Sequence, residues 1–201
     1  MVTNSMNERP CALDRRHAVA SLLKSRQEAL VVSGLGSSTY DVHAAGDCDA
    51  NYYLWGAMGG AALVGFGLAQ ATKRAVWVIT GDGEQLMGLG GLATVGIAKP
   101  KNLTIIVIDN EHYGETGMQM SHTGRGVALN AVAAACAFAK TGMISDQSGL
   151  DALCEELKLE SNGPRLFVVK VLAAELPRSL PSRDAVYIKN RFRQHLGFSA
   201  G

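Results

Sequence analysis

Apolar positions along the chain follow two rhythms, and their alternation sets the expected architecture. Leu13, Val19, Ala20, Leu22 and Leu23 recur at roughly helical spacing among Arg15, Arg16, Lys24 and Arg26, which predicts an amphipathic first helix. Glu28 to Ser33 reads as a short buried strand ended by Gly34-Leu35-Gly36. The polar stretch Ser37 to Asn51 predicts a short helix and a loop, and the small-residue run from about Gly56 to Thr72 a long helix. Ala75 to Thr80 is an apolar strand, Gly81-Asp82-Gly83 a turn and Glu84 to Ala98 a helix, broken by Lys99-Pro100-Lys101-Asn102 before a second apolar strand, Leu103 to Ile108. This is a βαβ unit, and continuous apolar strands of this kind belong in parallel sheets covered on both faces. Asp109 to Gly126 predicts a glycine-bearing polar loop, Val127 to Phe138 a helix, Lys140 to Ile144 a short strand and Ser148 to Leu159 a helix. Arg165 to Val171 closes the series as a strand, followed by a basic helix from about Ser182 to Leu196. The expected fold class is α/β, a doubly wound, mostly parallel sheet with helices on both faces. One domain is expected over residues 11–201, after an N-terminal tail of residues 1–10.

Composition narrows the partners. The 201 residues carry 19 Lys+Arg and 18 Asp+Glu, a net charge of +1, with no long basic run, which argues against nucleic acid or an anionic membrane. A 47% hydrophobic content with 18% charge excludes a disordered chain. The 23 glycines exceed the usual share of ~7% and suggest close helix packing and turns that hold a ligand. Cys11, Cys48, Cys136 and Cys154 lie far apart without a C-x-x-C pair, so reduced thiols are expected rather than a metal or iron–sulfur site, with Cys136 and Cys154 on helix faces. Met1 to Pro10 is polar and resembles no secretory signal. The apolar run Leu54 to Ala71 holds five glycines and Gln70, which favours a glycine-lined helix over a membrane span. A cytoplasmic protein is expected.

Candidate chemistry lies where the strands end, because ligands of open α/β sheets bind outside the carboxyl ends of their strands. Gly81-Asp82-Gly83 follows one strand and Asp109-Asn110 the next, so both can face one ion. Asp82 offers a carboxylate and Asn110 a neutral carbonyl oxygen, the hard donors that Mg²⁺ prefers, completed by phosphate oxygens. Gly83 leaves the backbone bare for a phosphate to approach N–H groups. By itself Gly-Asp-Gly is also a plain turn. There is no G-x-G-x-x-G after the strand and no G-K-[ST], which leaves the dinucleotide and P-loop readings unsupported.

Gly81-Asp82-Gly83, then 26 residues, then Asn110 is similar to the signature of thiamine diphosphate enzymes. The surrounding GDGEQLMGLGGLATVGIAKPKNLTIIVIDNEHYGETGMQ resembles the diphosphate-binding domain of thiamine diphosphate-dependent 2-oxo acid decarboxylases. The resemblance runs in particular to the sulfopyruvate decarboxylase β subunit and the phosphonopyruvate decarboxylase C-terminal domain, and covers roughly Ser33 to Arg193. It implies that Asp82, Asn110 and the main-chain carbonyl of His112 bind Mg²⁺. It further implies that Gly81, Gly83 and Glu84 contact the diphosphate, the last two through their backbones, with Tyr113 and Gly114 in the same cofactor-binding set. Gly56-Ala57-Met58 would receive the aminopyrimidine, the Gly56 carbonyl accepting from the 4′-amino group and Met58 bending the cofactor. Read without that context, Met58 is an ordinary core methionine.

The implied reaction is carbanion chemistry, with attack on the 2-oxo carbon and loss of CO₂. In this family an activating glutamate sits on a pyrimidine-binding domain that would take a further ~150 residues. The resemblance therefore implies a partner α subunit carrying that glutamate, an active site between subunits, an α2β2 or higher assembly, and burial there of the glycine-rich helix's exposed faces. Several residues depart from the family pattern. Asp109-Asn110-Glu111 replaces Asn-Asn-Gly, and Glu115 in the pocket would oppose a sulfonate or phosphonate. His122 reads either as a proton donor or as a solvated loop histidine, and Arg125 as a roof residue or a helix-entry surface residue. Arg183, Lys189, Arg191 and Arg193 read as a solvated face or subunit contact. Competing functions are the β subunit of a 2-oxo acid:ferredoxin oxidoreductase, a non-catalytic thiamine diphosphate-binding regulatory subunit and a nucleotide-binding module.

Overall fold

The computed structural model describes residues 13–199, so the expected tail and Cys11 lie outside the described residues. In chain order the elements are α1 (Arg15–Lys24), β1 (Leu30–Ser33), α2 (Ser37–Ala44), β2 (Asn51–Tyr53), α3 (Ala61–Ala71) and β3 (Val76–Gly81). Then come α4 (Asp82–Met87), α5 (Gly91–Ala98), β4 (Leu103–Asp109), β5 (His112–Tyr113), β6 (Gln119–Met120) and a 3₁₀ turn over Thr123–Arg125. The chain continues through α6 (Leu129–Ala135), β7 (Lys140–Ile144), α7 (Gln147–Glu156), β8 (Arg165–Lys170) and α8 (Ala185–His195).

Six strands form one sheet in the order β2-β1-β3-β4-β8-β7, and every neighbouring pair is parallel. Successive side chains of a strand point to opposite faces, and both faces here are apolar. Val31, Trp77, Ile79, Ile106 and Val169 join one core with Val19 and Leu22 of α1 and Leu150 and Leu153 of α7. Leu30, Val32, Val78, Ile105 and Val168 join the other with α3, α5 and α6 through Ala61, Leu92, Val95 and Leu129. The continuous apolar strands follow from this double coverage, and the fold is the doubly wound sheet that the alternation predicts.

Aspartates open three helices: the side chains of Asp14, Asp146 and Asp184 accept backbone N–H groups of α1, α7 and α8 at 2.7–3.0 Å. Asp41, fully buried on α2, pairs with Arg15 at 2.8 Å and Arg16 at 3.2 Å and joins the first two helices.

Four expected boundaries move. The helix expected from Gly56 begins only at Ala61, because Gly56 and Gly59 take φ of 74° and 85° and build a turn instead. The helix expected over Glu84 to Ala98 is two, interrupted at residues 88–90, where a Cβ on Gly88 would stand 2.2 Å from the Gly59 carbonyl oxygen. A short strand, β2, lies between the polar stretch and the glycine turn. The loop after β4 contains the β5–β6 hairpin. After β8, residues 171–184 run without regular structure, held by Arg16 to the Pro177 carbonyl at 2.7 Å, His43 to Ser179 at 2.8 Å and Trp55 to the Ser182 carbonyl at 2.9 Å.

Candidate active site

β1, β3 and β4 are neighbours and parallel, so their carboxyl ends open at one edge. The segments that follow them, together with Arg15 and Met58, line a cavity of about 150 Å³. Asp82, Asn110 and His112 share its wall with Gly81, Gly83, Glu84, Tyr113 and Gly114. Met58 lies on the wall and is half exposed, which removes the core-methionine reading. Gly56 and Ala57 stand outside the wall on the exposed turn before α3. His122 is also outside it, exposed, with Nδ1 2.5 Å from the Tyr113 hydroxyl.

Two carboxylates are buried behind this wall. Oδ2 of Asp82 accepts from Ser121 Oγ at 2.5 Å and from Thr123 Oγ1 at 3.2 Å, and the same threonine lies 2.8 Å from Oδ1 of Asp109. Lys170 donates to Asp109 at 2.9 Å and pairs with Glu111. One lysine thus answers the two carboxylates that depart from the Asn-Asn-Gly pattern, and Asp82 has no cationic partner among the described residues. Burial, followed by the Asp109 charge, pushes the Asp82 carboxyl above the usual aspartate range. A divalent cation at the Asp82 carboxylate would supply the missing charge. Asn110 Oδ1 accepts from the His112 N–H at 3.0 Å, and the His112 carbonyl accepts from the Gly114 N–H at 3.1 Å, so both hold fixed oxygens. A Cβ on Gly83 would meet the Tyr113 ring at 2.8 Å, so only glycine keeps the backbone bare there. The residues present fit a magnesium-bound diphosphate.

Glu84 plays a part that the sequence did not reveal. Its side chain is buried, and Oε2 accepts from the Leu35 N–H and from Thr80 Oγ1, each at 2.9 Å. It ties the turn after β1 to the start of α4. Burial raises its pKa, partly offset by these donors. Leu35 to Ser38 and Arg15, all on the wall, were also missed. The signal was present: Gly34-Leu35-Gly36 ends a strand just as Gly81-Asp82-Gly83 does, and Gly36, at φ 73°, opens α2 without a side-chain cap.

The family described as thiamine pyrophosphate enzyme, C-terminal TPP binding domain, matches residues 34–169, two thirds of the chain. The chain belongs to this family. It is 31% identical over 182 residues to the sulfopyruvate decarboxylase subunit beta of Methanococcus maripaludis, covering 90% of this chain and 96% of the relative. Identity reaches 40% over 110 residues with the subunit of the same name from Methanocaldococcus jannaschii, across 55% of this chain and 58% of that one. It is 38% over 170 residues with the phosphonopyruvate decarboxylase of Streptomyces viridochromogenes, across 83% of this chain and 42% of the enzyme. Among solved structures, benzoylformate decarboxylase from Polynucleobacter necessarius superposes with a TM-score of 0.68 at 20% identity, over 88% of this chain and 35% of that one, a likeness of fold.

Proposed function

We propose that this chain is the magnesium- and diphosphate-binding subunit of a two-subunit, thiamine diphosphate-dependent 2-oxo acid decarboxylase. One observation carries the reading: Asp82 and Asn110, in the spacing of the family signature, share one cavity wall at the ends of adjacent strands, and Asp82 is a buried carboxylate without a cationic partner among the described residues. Asp82, Asn110 and the His112 carbonyl would hold Mg²⁺. Gly83 and Glu84 would meet the diphosphate through their backbones, beside Gly81, Tyr113 and Gly114. Gly56, Ala57 and Met58 would receive the aminopyrimidine. When bound, thiamine diphosphate supplies the electron sink for loss of CO₂. We assign His122 a proton-holding role at the rim, supported by its hydrogen bond to Tyr113 of the wall. A cytoplasmic setting is supported by the free thiols of Cys48, Cys136 and Cys154.

The need for a partner is supported by volume and surface. About 150 Å³ falls short of the roughly 300–1,000 Å³ usual for small-molecule sites, so this wall is one side of a larger cavity. Met58, Leu63 and Val64 are exposed at 50%, 44% and 37% on and before α3, an apolar surface for the α subunit to cover in an α2β2 or higher assembly. A sulfopyruvate- or phosphonopyruvate-like substrate is supported by the names of the relatives. Glu115 does not stand alone against such an anion, because Arg178 lies 3.3 Å from it.

The test is to purify the chain alone and with its genomic neighbour, titrate thiamine diphosphate with Mg²⁺, and measure CO₂ release from a panel of 2-oxo acids. Stable cofactor binding and turnover are expected only in the pair. Full activity from the isolated chain would sink the two-subunit reading, and a saturated pair inert on every 2-oxo acid would sink the decarboxylase.

A further inference from the structure

The opposite end of the sheet holds a second, larger cavity of about 410 Å³, inside the roughly 300–1,000 Å³ range of small-molecule sites. Ala29, Ala75 and Asn102, which precede β1, β3 and β4, line it together with Arg165, the first residue of β8. It therefore lies a full strand length from the active-site wall. Six cationic side chains border it against Glu28 and Glu160, in a chain whose net charge is only +1. Four of the six are engaged: Arg74 lies 3.9 Å from Glu28, Lys158 2.6 Å from Glu155 and Arg165 3.5 Å from Glu156, and Arg26 donates to Asn51 Oδ1 at 2.6 Å and to Cys48 Sγ. Lys73 and Lys101 form no ion pair among the described residues and are exposed at the mouth.

Donors without acceptors lie deeper. Trp77 lines the cavity and is 1% exposed, yet its indole N–H is buried with no acceptor among the described residues. Arg165 is 5% exposed; Nε donates to Thr104 and Nη1 to the carbonyls of Glu156 and Leu159, while Nη2 donates to nothing among the described residues. The Trp77 N–H is closed off from the cavity, whereas Arg165, nine-tenths buried in the lining, keeps Nη2 free to donate to an acceptor oxygen from outside the chain. Acceptors within, further negative charge at the mouth and an apolar floor of Ala29, Ala75 and Leu157 describe one ligand chemistry. We propose that this cavity binds a small organic phosphate of nucleoside-phosphate size, at a site separate from the thiamine diphosphate site.

ADP, adenosine and inorganic pyrophosphate are the probes, titrated calorimetrically into the full chain in magnesium-free buffer. ADP should bind at one site, pyrophosphate more weakly, and adenosine not measurably. Reversing two exposed charges, Lys73→Glu with Lys101→Glu, should weaken ADP by about tenfold or more, whereas Asp82→Ala should leave it unchanged. Of the two tryptophans, Trp77 should show an indole N–H resonance that moves on adding ADP, identified by its loss in Trp77→Phe. Absence of ADP binding, equal binding of adenosine, an unaltered affinity in the charge-reversed chain, or loss of binding in Asp82→Ala would each overturn the proposal.

Discussion

The two ends of the sheet are built with opposite chemistry. At the carboxyl end, glycines follow β1 and β3, the buried Asp82 and Glu84 belong to the cavity wall, and Asp109 is buried behind it. At the amino end, lysines and arginines rim a larger cavity. A buried carboxylate without a cation is costly unless something supplies the charge, whereas exposed lysines cost little. The carboxyl end therefore carries buried negative charge that a bound cation would offset, and substitutions there should have effects that those at the other end lack.

The largest effect should come from Asp82→Ala. Magnesium-dependent binding of thiamine diphosphate to the assembled pair should weaken by at least about 100-fold, with the fold intact by circular dichroism. An equal loss on reversing Lys73 and Lys101 would break the distinction between the two ends. Next, Lys170→Met leaves Asp109 and Glu111 without their shared cation and should destabilise the chain by about 2–3 kcal/mol in urea unfolding, near the lower range for breaking a buried pair.

A smaller effect concerns pH. Because the Glu84 carboxyl has a raised pKa in the folded chain, its contribution to stability is fully present below the ordinary glutamate range and is lost as pH rises through the raised value. Glu84→Gln, neutral throughout, should lose less stability over that interval. Melting temperatures from pH 4 to 8 compare the two slopes, and parallel curves would refute the shift. The smallest effect belongs to the amino end: Lys158→Ala, which removes an exposed pair with Glu155, should change stability by no more than about 0.5 kcal/mol.

Much of this was legible from the chain. Apolar runs such as Ala75 to Thr80 identified doubly covered parallel strands, since only such strands are apolar on both faces. The spacing of Asp82 and Asn110 anticipated that both line one cavity, because consecutive strands of a βαβ unit end side by side. What escaped was set by tertiary contacts. The break at Gly88 depends on the Gly59 carbonyl pressing against it, nearly thirty residues away in sequence. For Glu84 the resemblance implied only a backbone contact, and only the packing of the Leu35 turn shows its side chain buried and hydrogen-bonded. Lys170, near the end of a strand, gave no sign that it would answer both Asp109 and Glu111.

The irregular segment 171–184 has a mechanical consequence. It carries the chain from β8 to α8, and its hydrogen bond from Trp55 to the Ser182 carbonyl attaches it to the residue just before the Gly56 turn. α8 is itself anchored near β2, where Arg191 holds Asp47 at 2.6 Å and Phe192 packs edge-on against Tyr52. Peeling the C-terminal helix away would pull on the turn that precedes α3. Hydrogen exchange of the two should rise together, so the last helix behaves as a latch on the turn that brings Met58 to the cavity wall.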